Sequence, residues 1–432
     1  MKSLGILWAQ YGPYHLARVR ALKQQAGPLT VHALELANET HDYRWERAGA
    51  GVDLITLCPG SVAERLPFGT VFQQARRKFS ELRVEACLLP SYSPKQSLAA
   101  LLAAKSLSVR AIMMNESHAG TARATGLSAC IKRRLIGLFD AALVGGTPQK
   151  RYFASMGLPA DRIFTGYDAV DNDYFARRAD EARDRASEVR GRYELPERFF
   201  LNLGRFVAKK NLGTLIRAYR EFLSASSIRQ THLVMVGSGE EGATLQSLCH
   251  ELNLPVYDKS AVPGPVSTLA AQHAQVKTSA PGVHFYGFRQ IQENPIFYAL
   301  ADAFILPSLY EEWGLVVNEA MACGLPVVVS QTAGCAEDLL EPGAPSGTSH
   351  GSLPGMNGPA SGPRLCQNGF LFNPESPADL AQALAVLDAS PELRRVMGKA
   401  SGRIVESFSC AAFARNALLA AAACNGTRAG RR

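Results

Sequence analysis

The 432-residue sequence lacks the long hydrophobic runs of a membrane-spanning protein, because it contains no stretch of about 18 consecutive apolar residues. The apolar stretch at its N-terminus ends at Gln10 and is too short for a signal peptide. Its nine cysteines include no Cys-x-x-Cys pair, so the sequence gives no sign of a zinc or disulfide framework. We therefore expect a cytoplasmic protein.

Strong charge of either sign is also absent. The formal net charge is +8, and no nucleic-acid-binding signature occurs, so we expect no nucleic-acid partner. A modest positive charge suits an anionic partner such as a nucleotide, a phosphorylated lipid or a membrane surface. The hydrophobic content of 47% and charged content of 19% are typical of a folded, soluble chain, and the length predicts two domains.

Short apolar runs alternate with helical patterns along the chain. In the first half, these runs are residues 4–9, 29–36, 52–57, 86–90, 109–115 and 141–144. A second alternating series begins at residue 199. Strands that alternate with helices predict parallel sheets covered by helices on both faces. We therefore predict an α/β chain of two Rossmann-like, doubly wound domains that face a cleft.

A highly charged stretch, 175–197, marks the predicted boundary between the two domains. The N-terminal domain is predicted at 1–185 and the C-terminal domain at 186–407. The C-terminal helix at 408–424 is a candidate to pack back on the first domain. Two insertions, near 254–282 and 342–366, are predicted to be flexible surface loops because they are rich in proline and glycine.

Apolar runs at 303–307 and 325–329 are predicted strands, and the segment 315–323 between them is a predicted helix. Two carboxylates bracket the loop and the first turn of this helix. Glu311 precedes the turn, and Glu319 lies about one turn into the helix. Unpaired N–H groups at the helix start suit an anion such as pyrophosphate, and ionised carboxylates accept hydrogen bonds from sugar hydroxyls. The alternative is that these acids only complement the helix dipole. Trp313 lies between them, and we expect its indole N–H to shape a sugar pocket.

A second loop, 204–211, follows a predicted strand and carries Arg205 and Lys210. A guanidinium makes bidentate contacts to phosphate, and an ammonium is a compact point charge. Two such cations suit a leaving diphosphate, which they stabilise in place of a metal ion. A solvated basic turn is the alternative.

Taken together, these motifs resemble the retaining glycosyltransferases of family 4, which have the GT-B fold. The resemblance is carried by the order and spacing of Gly204-Arg205, Lys210-Asn211, Gly287-Phe288 and the pair Glu311 and Glu319. It covers residues 199–330 and resumes at 368–387, whereas the N-terminal half matches only loosely.

The resemblance implies a role for each matching residue. Arg205 and Lys210 would bind the donor diphosphate, Glu319 the ribose hydroxyls and Glu311 the hydroxyls of the transferred sugar. Arg205, Lys210 and Glu311 form the implied catalytic set together with His118. The implied donor-binding set further includes Phe288 beside the base, the backbone of Gly314, Leu315 and Val316, and Gly12.

Three of the candidate residues lie in the predicted first domain. Gly12 is in the first loop, which in similar enzymes approaches the donor, although the usual pair of glycines is replaced by Gly12-Pro13. His118 follows the predicted strand near 109–115 and would lie near the reacting sugar; a capping or packing histidine is the alternative. His15 is a weaker candidate for acceptor binding, with a purely structural role as its alternative.

The sequence offers no fixed nucleophile for a double displacement. The resemblance therefore implies front-face retaining transfer, in which the protein supplies orientation and charge stabilisation. The Asp-x-Asp match, Asp171-Asn172-Asp173, falls in a turn away from the two cations, so we expect neither a metal nor another cofactor.

We predict transfer of a hexose from a UDP- or GDP-sugar to a hydroxyl of a sugar, lipid-linked or small-molecule acceptor, in polysaccharide, glycolipid or other glycoconjugate biosynthesis. The alternatives are a nucleotide-sugar epimerase or hydrolase of the same architecture and a non-catalytic nucleotide-sugar-binding protein. Two basic stretches, 73–79 and 131–136, are candidates for peripheral contact with an anionic membrane at its inner face. Ordinary solvated helix faces are the alternative interpretation of these stretches.

Overall fold

Two sheets, one in each half of the chain, organise the fold. The computed structural model describes residues 1–40, 51–122, 126–225, 229–261, 280–345 and 362–424. The chain forms two units, Met1–Asp171 with Ser407–Arg432, and Asn172–Glu406. Each unit is built on its own mainly parallel sheet, so the prediction of two Rossmann-like α/β domains is confirmed.

The sheet of the first unit is entirely parallel. Its strands are β1 (Ser3–Trp8), β2 (Thr30–Glu35), β3 (Leu54–Thr56), β4 (Ala86–Leu89), β5 (Arg110–Asn115), β6 (Ala141–Val144) and β7 (Ile163–Phe164). They lie in the order β3-β2-β1-β4-β5-β6-β7. The α-helices that lie between these strands in the chain are α1 (Pro13–Gln25), α2 (Phe68–Glu81), α3 (Lys95–Ser106), α4 (Gly126–Ile136) and α5 (Thr147–Ser155).

Both faces of this sheet are buried, which explains why its strands are continuous apolar runs. Successive side chains point to opposite faces, so Ile6 and Leu7 enter different hydrophobic clusters, as do Met113 and Met114. All four side chains are at most 2% exposed. The order of the strands reverses between β1 and β4, and in such sheets the loops at the carboxyl ends of the strands form the binding edge.

The second unit has an eight-stranded sheet. Its strands are β8 (Phe199–Leu203), β9 (His232–Val236), β10 (Val256–Asp258), β11 (Val283–Phe285), β12 (Ala303–Leu306), β13 (Val327–Ser330), β14 (Arg364–Cys366) and β15 (Gly369–Phe372). Their order is β10-β11-β9-β8-β12-β13-β15-β14. Only β14 runs antiparallel to its neighbour among these strands of the described residues.

Helices cover this second sheet. They are α6 (Asn172–Asp184), α7 (Ala186–Tyr193), α8 (Leu212–Ser224), α9 (Gly242–Glu251), α10 (Asn294–Leu300), α11 (Leu315–Ala322), α12 (Ala336–Leu339), α13 (Pro377–Ala389) and α14 (Pro391–Val405). The first unit is completed by α15 (Cys410–Ala423). None of the helices in the described ranges combines the length and the apolar character that crossing a membrane requires.

Helix α15 packs against α1 in the first unit. Phe413 and Ala417 on this helix are fully buried, and Asn416 Nδ2 donates to the carbonyl oxygen of Thr165 at 2.9 Å. The charged stretch after residue 171, in contrast, belongs to the second unit. Arg183 on α6 donates from Nε to the carbonyl oxygen of Ala299 at 3.2 Å. The division at 171/172 is therefore one helix earlier than the predicted boundary at 185/186.

Two short strands lie inside the stretches that were predicted to be flexible loops. Val256–Asp258 pairs with β11, and Arg364–Cys366 pairs with β15. Cross-strand hydrogen bonds and the burial of Cys366, which is 0% exposed, order these segments despite the glycine and proline around them. The remainders of the two predicted insertions, 262–279 and 346–361, lie outside the described residues.

Candidate functional site

The loop after β8 is fastened to two neighbouring loops of the second unit. Asn211 ends it in the left-handed region, with φ of 54°, and caps the start of α8. Its side-chain amide donates to the carbonyl oxygens of Pro307 at 3.2 Å and Pro374 at 2.8 Å. These carbonyls follow β12 and β15, so the carboxyl-end loops of three strands are joined through one amide. These two hydrogen bonds hold the loop that carries Arg205 and Lys210 against the loops after β12 and β15.

Glu311, after β12, lies between cations of the β8 loop. Its carboxylate bonds to Lys210 Nζ through Oε2, which also accepts from Ser308 Oγ at 3.2 Å. Its other oxygen lies 3.4 Å from Lys209 Nζ. Glu311 is 8% exposed, so these bonds form in a largely water-free place. The structure therefore brings together two residues of the predicted site, Lys210 and Glu311.

Two residues that the sequence analysis did not select extend this cluster. Lys209 Nζ lies 2.7 Å from Glu312 Oε2. Burial lowers the pKa of the Lys209 ammonium, but the hydrogen bond to Glu312 and the nearby carboxylates outweigh burial and raise it. Burial raises the pKa of Glu312, and the bond from Lys209 outweighs it and lowers that pKa. Both groups are therefore charged at neutral pH.

Gly314 turns the chain from this loop into α11. Its φ of +110° favours glycine, and an added Cβ would meet Leu306 Cδ2 at 3.0 Å. Leu315 and Val316 form the first turn of α11, so their N–H groups lie at the helix start. Their contact with a sugar donor stays a prediction.

Trp313 is packed inside the second unit, and its influence on a sugar pocket stays a prediction. Its side chain is 1% exposed, and its indole N–H donates to Asn318 Oδ1 at 2.8 Å. The indole is therefore an anchor of the turn inside the second unit, and its N–H is engaged by the protein. The bulky ring is buried because burying a large aromatic side chain is strongly favourable.

Glu319, on α11, is fully buried. Its Oε2 accepts a hydrogen bond from the Tyr298 hydroxyl at 2.9 Å, and Tyr298 is also fully buried. A buried carboxylate with a fixed donor is held in one orientation. Tyr298 was not among the predicted site residues, because a tyrosine within an apolar helix resembles any core residue.

Arg205 and Phe288 are, by contrast, presented to solvent. Arg205 is exposed on the loop after β8, and its side chain makes no ion pair within the described part of the chain. Phe288 follows β11 and is 53% exposed. An exposed guanidinium and an exposed aromatic ring beside the same sheet edge suit a phosphate and a base, respectively.

In the first unit, Gly12 and His15 form the start of α1. His15 Nδ1 accepts from the Gly12 N–H at 3.1 Å, and the His15 ring stacks on Trp8 with 4.5 Å between ring centroids. Burial and then the charge of Arg18 lower the pKa of His15 to about 3. His15 is therefore a neutral capping residue at neutral pH, and its role in acceptor binding stays a prediction.

His118 follows β5, at the carboxyl edge of the first sheet. It is 8% exposed, and its Nδ1 accepts from the Gly120 N–H at 3.2 Å. Its backbone N–H donates to Thr121 Oγ1 at 3.1 Å, which fixes a tight turn. These contacts hold the imidazole in place, and the approach of Gly12 and His118 to a donor stays a prediction.

A buried charged cluster lies at the same edge of the first sheet. Arg18 Nε donates to the carbonyl oxygen of Ala169 at 2.9 Å, and its Nη2 lies 3.9 Å from Asp168 Oδ1. Burial and then the charge of Glu116 raise the pKa of Asp168 well above its usual value, and Arg18 opposes this rise. No sequence motif indicated this cluster, because its members come from three separate segments.

The described ranges contain no group of three histidine, cysteine, aspartate or glutamate side chains that could hold a metal ion. Asp171 and Asp173 flank Asn172, which begins α6. The Asn172 amide donates to the carbonyl oxygen of Val405 at 2.9 Å, so this segment is part of the packing of the second unit.

The architecture is that of the GT-B class of glycosyltransferase folds. HepE of Anabaena, solved in complex with UDP-glucose, superimposes with a TM-score of 0.63 over 98% of this chain and 99% of its own. The sequence identity is 15%, so this likeness concerns the fold alone. The predicted GT-B fold is confirmed.

The family described as Glycosyl transferases group 1 matches residues 197–389, which lie within the second unit. This match contains Arg205, Lys210, Glu311 and Glu319, and the predicted family resemblance is confirmed.

Two curated glycosyltransferases also match this chain, each over part of its length. An uncharacterized glycosyltransferase of Methanocaldococcus jannaschii is 32% identical over 141 residues, which are 33% of this chain and 29% of the relative. A GDP-mannose-dependent alpha-(1-6)-phosphatidylinositol monomannoside mannosyltransferase of Mycolicibacterium smegmatis is 27% identical over 284 residues, covering 64% of this chain and 66% of the relative. The chain thus spans less than two thirds of the length of either relative.

Proposed function

We propose that this protein is a retaining glycosyltransferase that moves a hexose from a nucleotide sugar to an acceptor hydroxyl, without a metal ion. The observation that carries the proposal is the cluster at the carboxyl ends of β8 and β12. There, the carboxylate of Glu311 meets Lys210, within a segment that matches group 1 glycosyl transferases. A carboxylate for sugar hydroxyls and cations for a diphosphate lie on adjoining loops.

In the proposed reaction, the bond from the anomeric carbon to the donor phosphate oxygen breaks. A bond from that carbon to the acceptor oxygen forms on the same face, and the acceptor proton passes to the leaving phosphate. Arg205 and Lys210 stabilise the charge that develops on the diphosphate. Glu311 orients the sugar through its hydroxyls, and Glu319 holds the ribose.

We infer that Lys210 turns from Glu311 toward the diphosphate when the donor binds. The diphosphate offers more negative charge than one carboxylate, and the sugar hydroxyls then donate to the freed Glu311 oxygen. Two positive groups already serve the leaving diphosphate, which supports transfer without a metal. We expect EDTA to leave the rate unchanged.

The donor is proposed to be a UDP- or GDP-hexose. HepE was solved with UDP-glucose, and the mycobacterial relative is named as GDP-mannose-dependent. That relative is also named for a phosphatidylinositol mannoside acceptor, which supports a sugar or a lipid-linked acceptor here. We propose a role in polysaccharide, glycolipid or other glycoconjugate biosynthesis.

The experiment is a two-stage screen. UDP-, GDP- and ADP-sugars are first ranked by the rise they cause in the melting temperature, because a ligand that binds only the native state stabilises it. The best donor, labelled in its sugar, is then incubated with the protein and an acceptor panel. Transfer with retention of the anomeric configuration supports the proposal. Free sugar as the main product indicates a hydrolase, and binding without any turnover indicates a non-catalytic protein.

Variants test the site assignment. Lys210→Met, Glu311→Gln and Glu319→Gln are each expected to lose most transfer while keeping the fold. The matched control is Lys105→Met, which removes a half-buried lysine whose Nζ lies 2.8 Å from Asp140 Oδ2 in the first unit. Full turnover by all three site variants would refute the assignment.

Peripheral membrane contact is proposed for α4. Ile131 is 52% exposed there, and Arg133 and Arg134 beside it are also exposed. An exposed apolar residue among cations suits an anionic bilayer surface. On α2, by contrast, Glu81 pairs with Lys78 at 2.6 Å and partly neutralises the basic stretch.

Sedimentation with phosphatidylglycerol vesicles tests this contact. The wild-type protein is expected to sediment with them, and Ile131→Ser with Arg133→Gln is expected to stay in solution. Equal sedimentation of both proteins would rule out α4 as the contact. The cytoplasmic location stays a prediction.

A further inference from the structure

Lys209 contacts four consecutive residues of the loop after β12. Its carbonyl oxygen accepts from the Leu309 N–H at 2.9 Å, and its Nζ lies 5.6 Å from the ring centroid of Tyr310. The same Nζ lies 3.4 Å from Glu311 Oε1 and 2.7 Å from Glu312 Oε2. The family resemblance gives a role to Lys210 only, so these contacts call for a separate explanation.

The two lysines hold different oxygens of the Glu311 carboxylate. Oε2 accepts from Lys210 and Ser308, whereas Oε1 faces Lys209. In the proposed reaction, Lys210 turns to the donor diphosphate. Glu311 then loses one of its cations at the moment when it must accept hydrogen bonds from the sugar.

The contact with Glu312 keeps Lys209 from turning to the diphosphate together with Lys210. Its shortest contact is to Glu312, whose carboxylate belongs to the same loop as Glu311. The Lys209 side chain is 20% exposed, which keeps competing water and anions partly away. A cation that is fixed by one carboxylate can serve the neighbouring one without being drawn to the diphosphate.

We propose that Lys209 is a positioning residue that keeps the Glu311 carboxylate oriented while Lys210 binds the donor diphosphate. The inference rests on the proposed function, because it assigns Glu311 to the sugar hydroxyls. The charged groups that face the Glu311 carboxylate include Lys209 and Lys210, both from the loop after β8. On its own loop, Glu312 is the acidic neighbour, and the β13 side contributes the Gly334 N–H, which donates to the Glu311 carbonyl oxygen at 2.9 Å.

The first test compares kcat and the donor KM of Lys209→Met with those of the wild type at neutral pH. Loss of the cation leaves the Glu311 carboxylate less well oriented toward the sugar, so kcat is expected to fall by about tenfold. The donor KM changes little because Arg205 and Lys210 remain. Lys209→Arg is expected to restore most of the wild-type kcat. A purely structural role would lower the melting temperature and raise the donor KM along with any fall in kcat.

Two further variants keep the test decisive. Lys209→Gln retains a neutral hydrogen-bond donor, so it is expected to fold even if the Met variant does not. Its side chain is shorter and uncharged and does not bridge Glu311 and Glu312, so the same fall in kcat is expected. Lys105→Met, which removes the half-buried lysine of the first unit, is expected to leave kcat unchanged. An unchanged kcat in both the Met and Gln variants of Lys209 would overturn the inference.

The outcomes separate this inference from the proposed function. If the wild type transfers sugar but kcat does not fall in either Lys209 variant, the inference falls and the proposed function stands. If the wild type transfers no sugar to any acceptor, both fall.

Discussion

Acid is expected to destabilise the second unit through a pair of buried histidines. His284 Nε2 and His232 Nδ1 lie 2.9 Å apart, and the two side chains are 4% and 6% exposed. The His284 ring also stacks on Tyr257, with 4.5 Å between centroids. Burial lowers the pKa of His232 to about 4, and burial with the charge of His232 lowers that of His284 to about 3.

The direction in which stability changes with pH follows from these two lowered pKa values. Each imidazole has a lower pKa in the folded protein than in the unfolded chain, where it is about 6.5. The unfolded chain therefore binds more protons, and stability that is fully present above pH 6.5 is lost as pH falls toward 4 and 3. At pH 5, the loss for each histidine is about 2 kcal/mol.

Thermal unfolding of wild type and His284→Phe at pH 7.5 and pH 5.0 measures this loss. The variant gives up the hydrogen bond and melts lower at pH 7.5. On acidification, however, its melting temperature should fall about 4–8 °C less than that of the wild type, as about 2 kcal/mol implies for a unit of this size. Tyr257→Phe keeps both imidazoles and should fall as far as the wild type. An equal decrease for His284→Phe and wild type would refute the reasoning.

Three further predictions concern other buried positions. Tyr298→Phe removes the hydroxyl that donates to Glu319. A hydrogen bond to a charged group is worth about 1.5–3 kcal/mol, so the KM for the nucleotide sugar should rise roughly tenfold or more. An unchanged KM would contradict the role of this bond. Asp168 has a raised pKa when folded, so the folded protein holds a proton there and the free energy of unfolding slopes downward as pH rises above about 4. Asp168→Asn should remove that slope from thermal melts recorded above pH 4, and an identical slope would contradict it. Gly237→Ala places a Cβ 1.8 Å from the Gly204 carbonyl oxygen at a φ of +143°, so it should melt lower and bind nucleotide sugar weakly, which melts and binding titrations check.

The central strands could be predicted because burial on both faces leaves a continuous apolar run. The run at 303–307 is β12, and the run at 325–329 overlaps β13. The strands β10 and β14 could not be predicted in this way. Each has only three residues beside a stretch rich in proline and glycine, and pairing orders it. The strand β10 pairs with β11 much further along the chain, whereas β14 pairs with β15, the strand that directly follows it.

The site was predictable where spacing alone carries the geometry. Loops that follow neighbouring parallel strands meet at one edge, so Lys210 and Glu311 were expected to lie close together. Which of two adjacent lysines faces which carboxylate depends on side-chain rotation, and the sequence does not encode it locally. The same holds for Trp313, whose indole turned inward to Asn318. Asn211 carried a usable signal, because an asparagine before a helix favours capping and the left-handed region.

The ion pairs around Glu311 have a consequence for selectivity in a cell rich in inorganic anions. The two lysines are matched by Glu311 and Glu312, so the site offers less free positive charge than its sequence suggests. A simple phosphate must break these ion pairs and takes the cations from the carboxylates, which is costly in a partly buried place. A sugar diphosphate brings its own hydroxyls to replace the lost partners. We therefore expect the site to bind free phosphate weakly, because Glu311 and Glu312 compete with it for the two lysines.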